Sequence, residues 1–215
     1  MAFYDELNDE SNFVASFTSN SKGDFGVFAK GYRLGAERLA ESLTSAHRFA
    51  DYEAYPVVFL YRHALELSLK HIIYSAALIS AFQFSPSADG RLKNDHRLPP
   101  LASGVAQVLE LLFPKEGSLG LLMREISEIC DDWRNLDPHS YAYRYPIDIQ
   151  GKPSTRQHQV VNLRSLAFRM STVLESLETV HFGLNIETDK AQEIYETVQQ
   201  IIVSISHPTD TESEG

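Results

Sequence analysis

Residues 55–81 are the stretch that most constrains how this chain can fold. They are apolar over most of a helical circumference, and Arg62, Glu66 and Lys70 follow one another at intervals of four. Residues four apart share one face of an α-helix, so these charges form a single stripe on an apolar rod. Pro56 suits the first turn of such a helix. The pattern predicts a central, buried helix with one polar seam.

Other segments repeat apolar residues at steps of three and four, which is the helical period. They are Phe25, Phe28, Tyr32, Ala36, Leu39 and Leu43; Leu101 to Leu112; a run after Ser118, its predicted N-cap; a run from Leu163 with Gly183 as its predicted C-terminal cap; and a run to Ile205 with Thr188 as its predicted N-cap. No segment shows a convincing period of two. We therefore predict an all-α fold, an up-and-down bundle of about five to six helices formed by residues 23–206. A polar arm (1–22) and a flexible acidic tail (207–215) flank this single domain.

The composition narrows the classes of function. The formal net charge is −10, so any contact with nucleic acid has to come from a local basic patch. The lone cysteine, Cys130, excludes an internal disulfide and a thiolate metal cluster. Neither a signal peptide nor an apolar run long enough to cross a bilayer is recognisable. These features predict a cytoplasmic protein with no membrane contact, no metal and no cofactor.

Arg134 and His139 form the first candidate site. Arginine binds phosphate and histidine transfers protons near neutral pH, so the pair has the groups needed to cut RNA without a metal. In that interpretation His139 transfers a proton at the ribose 2′-hydroxyl or the leaving 5′-oxygen, and Arg134 stabilises the scissile phosphate. In the alternative interpretation, Arg134 is a solvated helix end and His139 a turn residue.

Glu66 is the next candidate, because a carboxylate on a mostly buried helix needs a partner. It is a candidate catalytic residue that orients Arg134 or His139. The alternatives are an exposed ladder with its neighbours on the stripe, or a buried structural pair. For the buried pair, the sequence favours Arg144 as the partner.

A basic run with interleaved tyrosines follows the Arg134–His139 pair. Its candidate RNA-binding residues are Tyr143, Arg144, Lys152, Arg156 and Arg164, and Asn135 before the run is another candidate. Aromatic rings beside cations suit the stacking of unpaired bases, so the run predicts contact with single-stranded RNA. The alternative is a loop whose tyrosines fold back on the bundle as core and rim.

Three segments carry a resemblance to a known family. They are the helix segment around Ala64-Leu65-Glu66 with Lys70 four residues later, the segment His96-Arg97-Leu98-Pro99-Pro100-Leu101, and the segment Arg144-Tyr145-Pro146-Ile147-Asp148. In their order and spacing they resemble bacterial stand-alone members of the HEPN superfamily (higher-eukaryote and prokaryote nucleotide-binding helical domains). The resemblance covers roughly residues 25–205.

The resemblance implies a helical bundle that is commonly a homodimer. Catalytic HEPN proteins carry an Arg, often followed by a polar residue, and a His with four to six residues between the two, which matches Arg134, Asn135 and His139. Pro138, directly before the His, departs from the family pattern. The implied function is metal-independent endoribonuclease activity or RNA binding by a degenerate relative, in stress or phage defence. The alternative is a non-catalytic module that binds a partner protein, such as a nucleotidyltransferase-like antitoxin in a toxin–antitoxin pair.

Overall fold

The computed structural model describes residues 25–45, 51–81, 94–138, 140, 142–148, 150–155 and 159–206. Most of them lie in five α-helices: α1 Phe25–Ser45, α2 Ala54–Ala81, α3 Leu98–Leu112, α4 Gly117–Leu136 and α5 Leu163–Ser206. A 3-10 turn, Asp51–Glu53, leads into α2. The predicted all-α bundle is thus confirmed. The predicted N-terminal arm and acidic tail lie outside the described residues.

Helix α2 is the centre of the bundle, because it packs against α1, α3 and α5. Every residue from Val57 to Ala76 is buried or half-buried, as the apolar circumference of this helix predicted. Helix α4 completes the bundle by packing against α3 and α5. A buried cluster that includes Leu65, Leu109 and Leu177 joins α2, α3 and α5 into one core.

The buried face of α1 differs from the predicted face. Its buried apolar residues are Ala29, Ala36 and Ala40, and Tyr32 and Leu43 of the predicted face pack against the core half-buried. Phe28 and Leu39 are exposed. The prediction was therefore wrong for these two residues, which lie off the alanine-lined face.

The predicted starts of α3 and α4 need small corrections. Helix α3 begins at Leu98 and includes both following prolines in its first turn, where a missing N–H removes no hydrogen bond. Helix α4 begins at Gly117, with Glu116 as the N-cap residue. Ser118, the predicted cap, instead lies in the first turn, and its hydroxyl donates to Glu116 Oε1 at 2.6 Å.

The largest correction concerns α5, which was predicted as two helices and is one helix of 44 residues. Gly183 lies within the helix and not at a C-terminal cap. Thr188 does not cap a new helix, since its hydroxyl donates to the Leu184 carbonyl at 2.8 Å, one turn earlier. Glycine at Gly183 weakens the helix without ending it, because packing of the flanking residues outweighs a cost of about 1 kcal/mol.

The segment between α4 and α5 contains a tight hairpin. Ile147 and Pro153 form an isolated antiparallel bridge, and the Asp148 N–H donates to the Lys152 carbonyl at 2.8 Å. Gly151 has φ 76°, the left-handed conformation that this turn requires and glycine accepts. Among the helices described, none combines the length and apolarity needed to cross a membrane.

Candidate functional site

The polar stripe of α2 is a buried ionic ladder. Glu66 lies between two cations, with Oε2 at 3.1 Å from Arg62 Nη1 and Oε1 at 2.9 Å from Lys70 Nζ. All three side chains are at most 2% exposed. Charges removed from water to this degree are stable only when their partners and hydrogen bonds are in place. The ladder is therefore a rigid element of the core, and the alternative of an exposed ladder is wrong.

Arg62 ties the ladder to two other segments of the chain. Its Nη2 donates to the His96 carbonyl at 2.9 Å, just before α3. Its Nε donates to the Asp137 carbonyl at 3.2 Å and lies 3.4 Å from Asp137 Oδ2, at the end of α4. Burial lowers the pKa of Arg62, whereas the charges of Asp137 and Glu66 oppose this shift. One guanidinium thus fixes the ends of two helices against α2.

Asp137 closes α4 and organises the turn that follows. Its N–H donates to the Trp133 carbonyl at 2.7 Å, and its Oδ1 accepts the N–H of Ala142 at 3.2 Å. Between them Ser140 has φ 63°, an unusual conformation for a residue with a side chain. The Ser140 carbonyl accepts a 2.7 Å hydrogen bond from Arg144 Nε, which helps to hold this turn. The Asp137 side chain therefore shapes the turn that follows the end of the helix.

His96 is the point where this buried network reaches the surface. Its Nδ1 lies 2.8 Å from Glu66 Oε1, and its side chain is 51% exposed while that of Glu66 is 1% exposed. Burial acts to raise the pKa of Glu66, but the hydrogen bond and charge of Lys70, followed by those of His96, outweigh it and hold this pKa below its usual value. Glu66 is therefore a carboxylate at neutral pH. A carboxylate at Nδ1 fixes the ring orientation and leaves Nε2 as the nitrogen available for proton transfer.

A cavity of about 560 Å³ opens beside His96. It is lined by Asn94, Asp95, His96, Arg97, Asp137, Pro138, Ala142, Asp148, Gln150, Pro153 and Ser154. The volume is in the range of small-molecule and cofactor sites. The hairpin between α4 and α5 forms one wall, and the segment before α3 forms another.

A second pocket of about 190 Å³ shares Arg97, Asp137 and Pro138 with this cavity and adds Arg134. The side chains of Arg97 and Arg134 are 67% and 61% exposed, and each forms a surface ion pair, with Asp95 at 3.0 Å and Asp131 at 3.1 Å. The Arg134–Asp131 pair is exposed on both sides and contributes about 0–1 kcal/mol, so an incoming anion can replace Asp131. Arg97 is held more firmly, because its Nε and Nη2 donate to the two carboxylate oxygens of Asp95 at 3.1 and 3.0 Å. The two neighbouring pockets share three lining residues and make up a paired depression that has a histidine and two arginines in its lining. We call it the His96 depression.

The structure places the predicted catalytic residues as follows. Arg134 lines the depression, and Glu66 lies beneath it as the partner of His96. His139 lies outside the described residues. Glu66 is a buried, paired carboxylate, but its partners are Arg62, Lys70 and His96. The prediction of Arg144 as its partner is wrong.

Arg144 and Tyr143 lie on the outer side of the same turn. The Arg144 guanidinium lies 5.6 Å from the ring centroids of both Phe59 and Tyr145. Tyr143 packs against Tyr55 at 5.8 Å, and burial raises its pKa to about 12. The tyrosine and arginine therefore help to fold the loop onto the bundle, as the alternative interpretation predicted for the tyrosines.

The remaining predicted RNA-binding residues lie in separate settings. Asn135 Nδ2 donates to the Asp131 carbonyl at 3.2 Å on α4. Lys152 belongs to the hairpin, where its N–H donates to Asp148 Oδ1 at 2.9 Å. Arg164 begins α5, and its Nη2 lies 3.4 Å from the Thr44 carbonyl at the end of α1. Arg156 lies outside the described residues.

His96 is the residue that the sequence reasoning missed as a site residue. In the sequence, His96 was noted only as the first residue of the segment His96–Leu101, which resembles the HEPN pattern and leads into α3. Its signal was indirect: a buried Glu66 needs compensating groups, and a histidine before Leu-Pro-Pro lies where a loop returns to α2. The described residues contain no group of three or more His, Cys, Asp or Glu side chains able to hold a metal ion.

A scan against models of known protein families gives no match, and searches of curated proteins and of solved structures give none either.

Proposed function

We propose that the protein acts on RNA as a HEPN-like, metal-independent endoribonuclease, with His96 as its acid–base group. The observation that carries the proposal is the His96 depression. A half-exposed imidazole, oriented by a fully buried carboxylate, lines the same cavity as Arg97. Arg134 lines the neighbouring pocket, and its one ion pair, with Asp131, is exposed. These are the groups that phosphodiester transfer to a neighbouring hydroxyl requires.

The proposed reaction uses the ribose 2′-hydroxyl of the substrate as nucleophile. Neutral His96 accepts the hydroxyl proton at Nε2 as the 2′-oxygen attacks phosphorus, and Glu66 stabilises the imidazolium that forms. Arg97 and Arg134 offset the charge on the phosphate oxygens. The bond to the 5′-oxygen breaks, and this oxygen takes a proton from water or from His139, the residue for which the sequence predicted that role. The products are a 2′,3′-cyclic phosphate and a 5′-hydroxyl.

The charge distribution limits the kind of RNA that fits. The chain carries a net charge of −10, and Asp95, Asp137 and Asp148 line the cavity, so a duplex with two phosphate backbones is disfavoured. Carboxylates accept hydrogen bonds from ribose hydroxyls and from base amino groups. The arrangement thus favours a short single-stranded segment, with one phosphate at the arginines and the sugar or base in the acidic cavity.

The test is cleavage of an unstructured, end-labelled RNA in EDTA. Wild-type protein is expected to produce 2′,3′-cyclic phosphate ends. His96→Gln is expected to reduce the rate by roughly 10²–10⁴-fold, the usual contribution of a positioned acid or base. Arg97→Gln and Arg134→Gln are expected to weaken binding and flatten its salt dependence. Arg38→Gln, which removes an exposed arginine from α1, is the matched control.

The outcomes separate the two histidines. If His139→Ala abolishes cleavage and His96→Gln does not, His139 is the acid–base group and the role proposed for His96 is wrong. If both variants lose activity, the two residues act as base and acid. Wild-type protein that neither binds nor cuts RNA at low salt contradicts the RNA proposal as a whole.

The acidic lining of the cavity favours a second candidate function, a non-catalytic module that binds a basic segment of a partner protein. Under this alternative His96 only supports the wall of the cavity. Asp95→Asn distinguishes the two functions, because removing a carboxylate strengthens RNA binding at the arginines but weakens binding of a cationic peptide. A short lysine- and arginine-rich peptide, measured by fluorescence anisotropy, is the probe for the second case.

A further inference from the structure

A third pocket lies between the end of α4 and the start of α5, and its described lining residues are all different from those of the cavity beside His96. Its volume is about 270 Å³, just below the roughly 300 Å³ at which drug-sized sites begin, so its occupant is smaller than a drug-sized ligand. Its floor reaches the core, since Ile129, Trp133 and Met170 line it and each is at most 3% exposed. The body of an occupant therefore has to be apolar.

The described residues of its rim are polar but carry no net charge. The charged members are Asp132 and Arg169, and Arg169 Nη1 donates to Asp132 Oδ2, so the two charges offset each other. The other polar groups include three side-chain amides, those of Asn135, Gln159 and Asn162. A phosphate gains little at such a rim, whereas a neutral group with hydrogen-bond donors and acceptors finds partners there. We call this site the amide pocket.

Backbone contacts fix which way two of the amides point. Asn135 Nδ2 donates to the Asp131 carbonyl at 3.2 Å, so its Oδ1 remains as an acceptor. Asn162 Oδ1 accepts the N–H of Ser165 at 3.1 Å and caps the start of α5, so its Nδ2 remains as a donor. A carbonyl only accepts and an N–H only donates, so neither amide can be reversed without losing its bond. Gln159 has hydrogen bonds of 3.4 and 3.5 Å, which are long enough for its amide to adjust to an occupant.

An apolar floor below a rim of neutral donors and acceptors suits the flat ring of a nucleobase. Among the bases, adenine is the one that side-chain amides read, through its amino group and a ring nitrogen. Guanine is read by cations and the amino group of cytosine by carboxylates. In this pocket Arg169 and Asp132 are already paired with each other. The rim therefore favours adenine.

The amide pocket meets the His96 depression at the last turn of α4. Asp132 and Asn135 are three residues apart and share a face of the helix, whereas Arg134 lies about 100° around the helix from Asn135. Arg134 lines the smaller pocket of the depression, and Trp133 lines both that pocket and the amide pocket. A strand with one phosphate at Arg134 can therefore place a neighbouring base in the amide pocket.

From this lining and this position, we infer that the amide pocket binds one unpaired adenine of the RNA and so selects which phosphate reaches Arg134 and His96. Asn162 Nδ2 donates to a ring nitrogen of the adenine, and Asn135 Oδ1 accepts from its amino group. The inference rests on the proposed function for the identity of the polymer. Binding of the base does not require cleavage, so the two can be tested separately.

The first test is binding, read from the fluorescence of Trp133, which is the one tryptophan of the chain and lines the amide pocket. The probes are uridine pentamers with adenosine, guanosine or uridine at the centre. All are 2′-O-methylated, which removes the nucleophile of the proposed reaction. The adenosine pentamer is expected to bind roughly 5–150-fold more tightly than the others, the contribution of one bidentate base contact. Equal binding of the three pentamers, or a preference for guanosine or uridine, overturns the inference.

The variant for this test is Asn162→Asp, which keeps the oxygen that caps α5 but replaces the donor by an acceptor. It is expected to bind the adenosine and uridine pentamers with nearly equal affinity. The added charge weakens the binding of both, so the ratio of the two dissociation constants is the quantity to compare. Gln107→Glu makes the same change of amide to carboxylate at an exposed position of α3 and is expected to keep the wild-type ratio. A wild-type ratio in Asn162→Asp overturns the role of Asn162 and with it the inference.

The second test is the position of cleavage in uridine 20-mers in which a single adenosine is moved along the strand. The cut is expected to move with the adenosine and to keep a fixed distance from it. Cleavage whose position ignores the adenosine overturns the selection of the phosphate. If no RNA is cut but the adenosine pentamer still binds more tightly and Asn162→Asp removes this preference, the proposed nuclease activity is wrong and the adenine site is supported.

Discussion

Helix α2 and the C-terminal half of α5 both depart from the usual distribution, in which charged side chains are exposed and apolar side chains are buried. In α2 the charged residues Arg62, Glu66 and Lys70 are buried, whereas in α5 the apolar residues Ile194 and Val198 are exposed. Both helices carry a regular stripe, and the stripes differ in what surrounds them. Position relative to the bundle, and not residue type, decides which stripe is covered.

The buried charges of α2 contribute more to the geometry of the site than to the stability of the fold. A buried ion pair is weak support for stability, because desolvation of the charges offsets most of their attraction. The ladder of α2 instead fixes His96 and the end of α4 in one geometry. Ile194 and Val198 on α5, in contrast, lie outside the buried core cluster of the described residues.

The largest effect is expected at the centre of the ladder. Glu66→Gln leaves the cations of Arg62 and Lys70 without their shared carboxylate, at a cost of about 3–5 kcal/mol in the free energy of unfolding. Glu175→Gln is the matched control, because Glu175 forms an exposed ion pair with Arg33 whose loss costs about 0–1 kcal/mol. Both are measured by urea denaturation. Equal, small losses for the two variants would show that the ladder is not a tightly coupled unit.

The sequence predicted the polar stripe of α2 but neither its burial as a ladder nor the contacts that give it a role. Arg62, Glu66 and Lys70 lie on one helix, so their spacing alone brings them together. Arg62 contacts the carbonyls of His96 and Asp137, which are 34 and 75 residues away in the chain. Backbone acceptors carry no signature in a sequence, and their positions depend on how α3 and α4 end. For the same reason the sequence offered Arg144, a visible cation, as the partner of Glu66.

The buried N-terminal part and the exposed C-terminal part of the apolar stripe on α5 are expected to respond differently when one side chain is truncated to alanine. Leu177→Ala removes a fully buried side chain and is expected to cost about 2–5 kcal/mol of unfolding free energy. Ile194→Ala, on the exposed half, is expected to cost less than about 0.5 kcal/mol. Thermal denaturation at two protein concentrations checks both. A large concentration-independent loss for Ile194→Ala would place this residue in a core within one copy.

The next prediction concerns His181, which joins the two regions. Its Nε2 donates to the Ser68 carbonyl of α2 at 3.1 Å, and its ring packs against His71. Burial, followed by the charge of His71, lowers the pKa of His181 to about 4 from a usual 6.5. The unfolded chain therefore binds a proton between pH 6.5 and about 4 that the folded chain does not, and stability falls as the pH falls through this window.

At 1.36 kcal/mol per pKa unit, His181 accounts for about 3 kcal/mol of this loss. His181→Gln keeps a donor but does not titrate, so its unfolding free energy is expected to depend much less on pH between 6.5 and 4. Burial also lowers the pKa of His63, which leaves a smaller slope in the variant. Urea denaturation at pH 7, 5.5 and 4.5 gives the slopes. An unchanged slope in His181→Gln would show that His181 is not a main source of the pH dependence.

The smallest effect is expected at Gly183, where the sequence predicted a helix end and the helix continues. No atom lies within 4 Å of a Cβ built at this glycine, and its φ is not in the left-handed range. Gly183→Ala therefore adds helix propensity without a clash and is expected to raise the unfolding free energy by about 1 kcal/mol. Gly151→Ala is the control, because its φ of 76° makes any side chain strained, and this variant is expected to be destabilised. If Gly183→Ala were instead destabilised like Gly151→Ala, α5 would end at Gly183. The apolar stripe of α5 would then be divided between two helices. The orientation of its exposed C-terminal part relative to the bundle would no longer be fixed by the buried part.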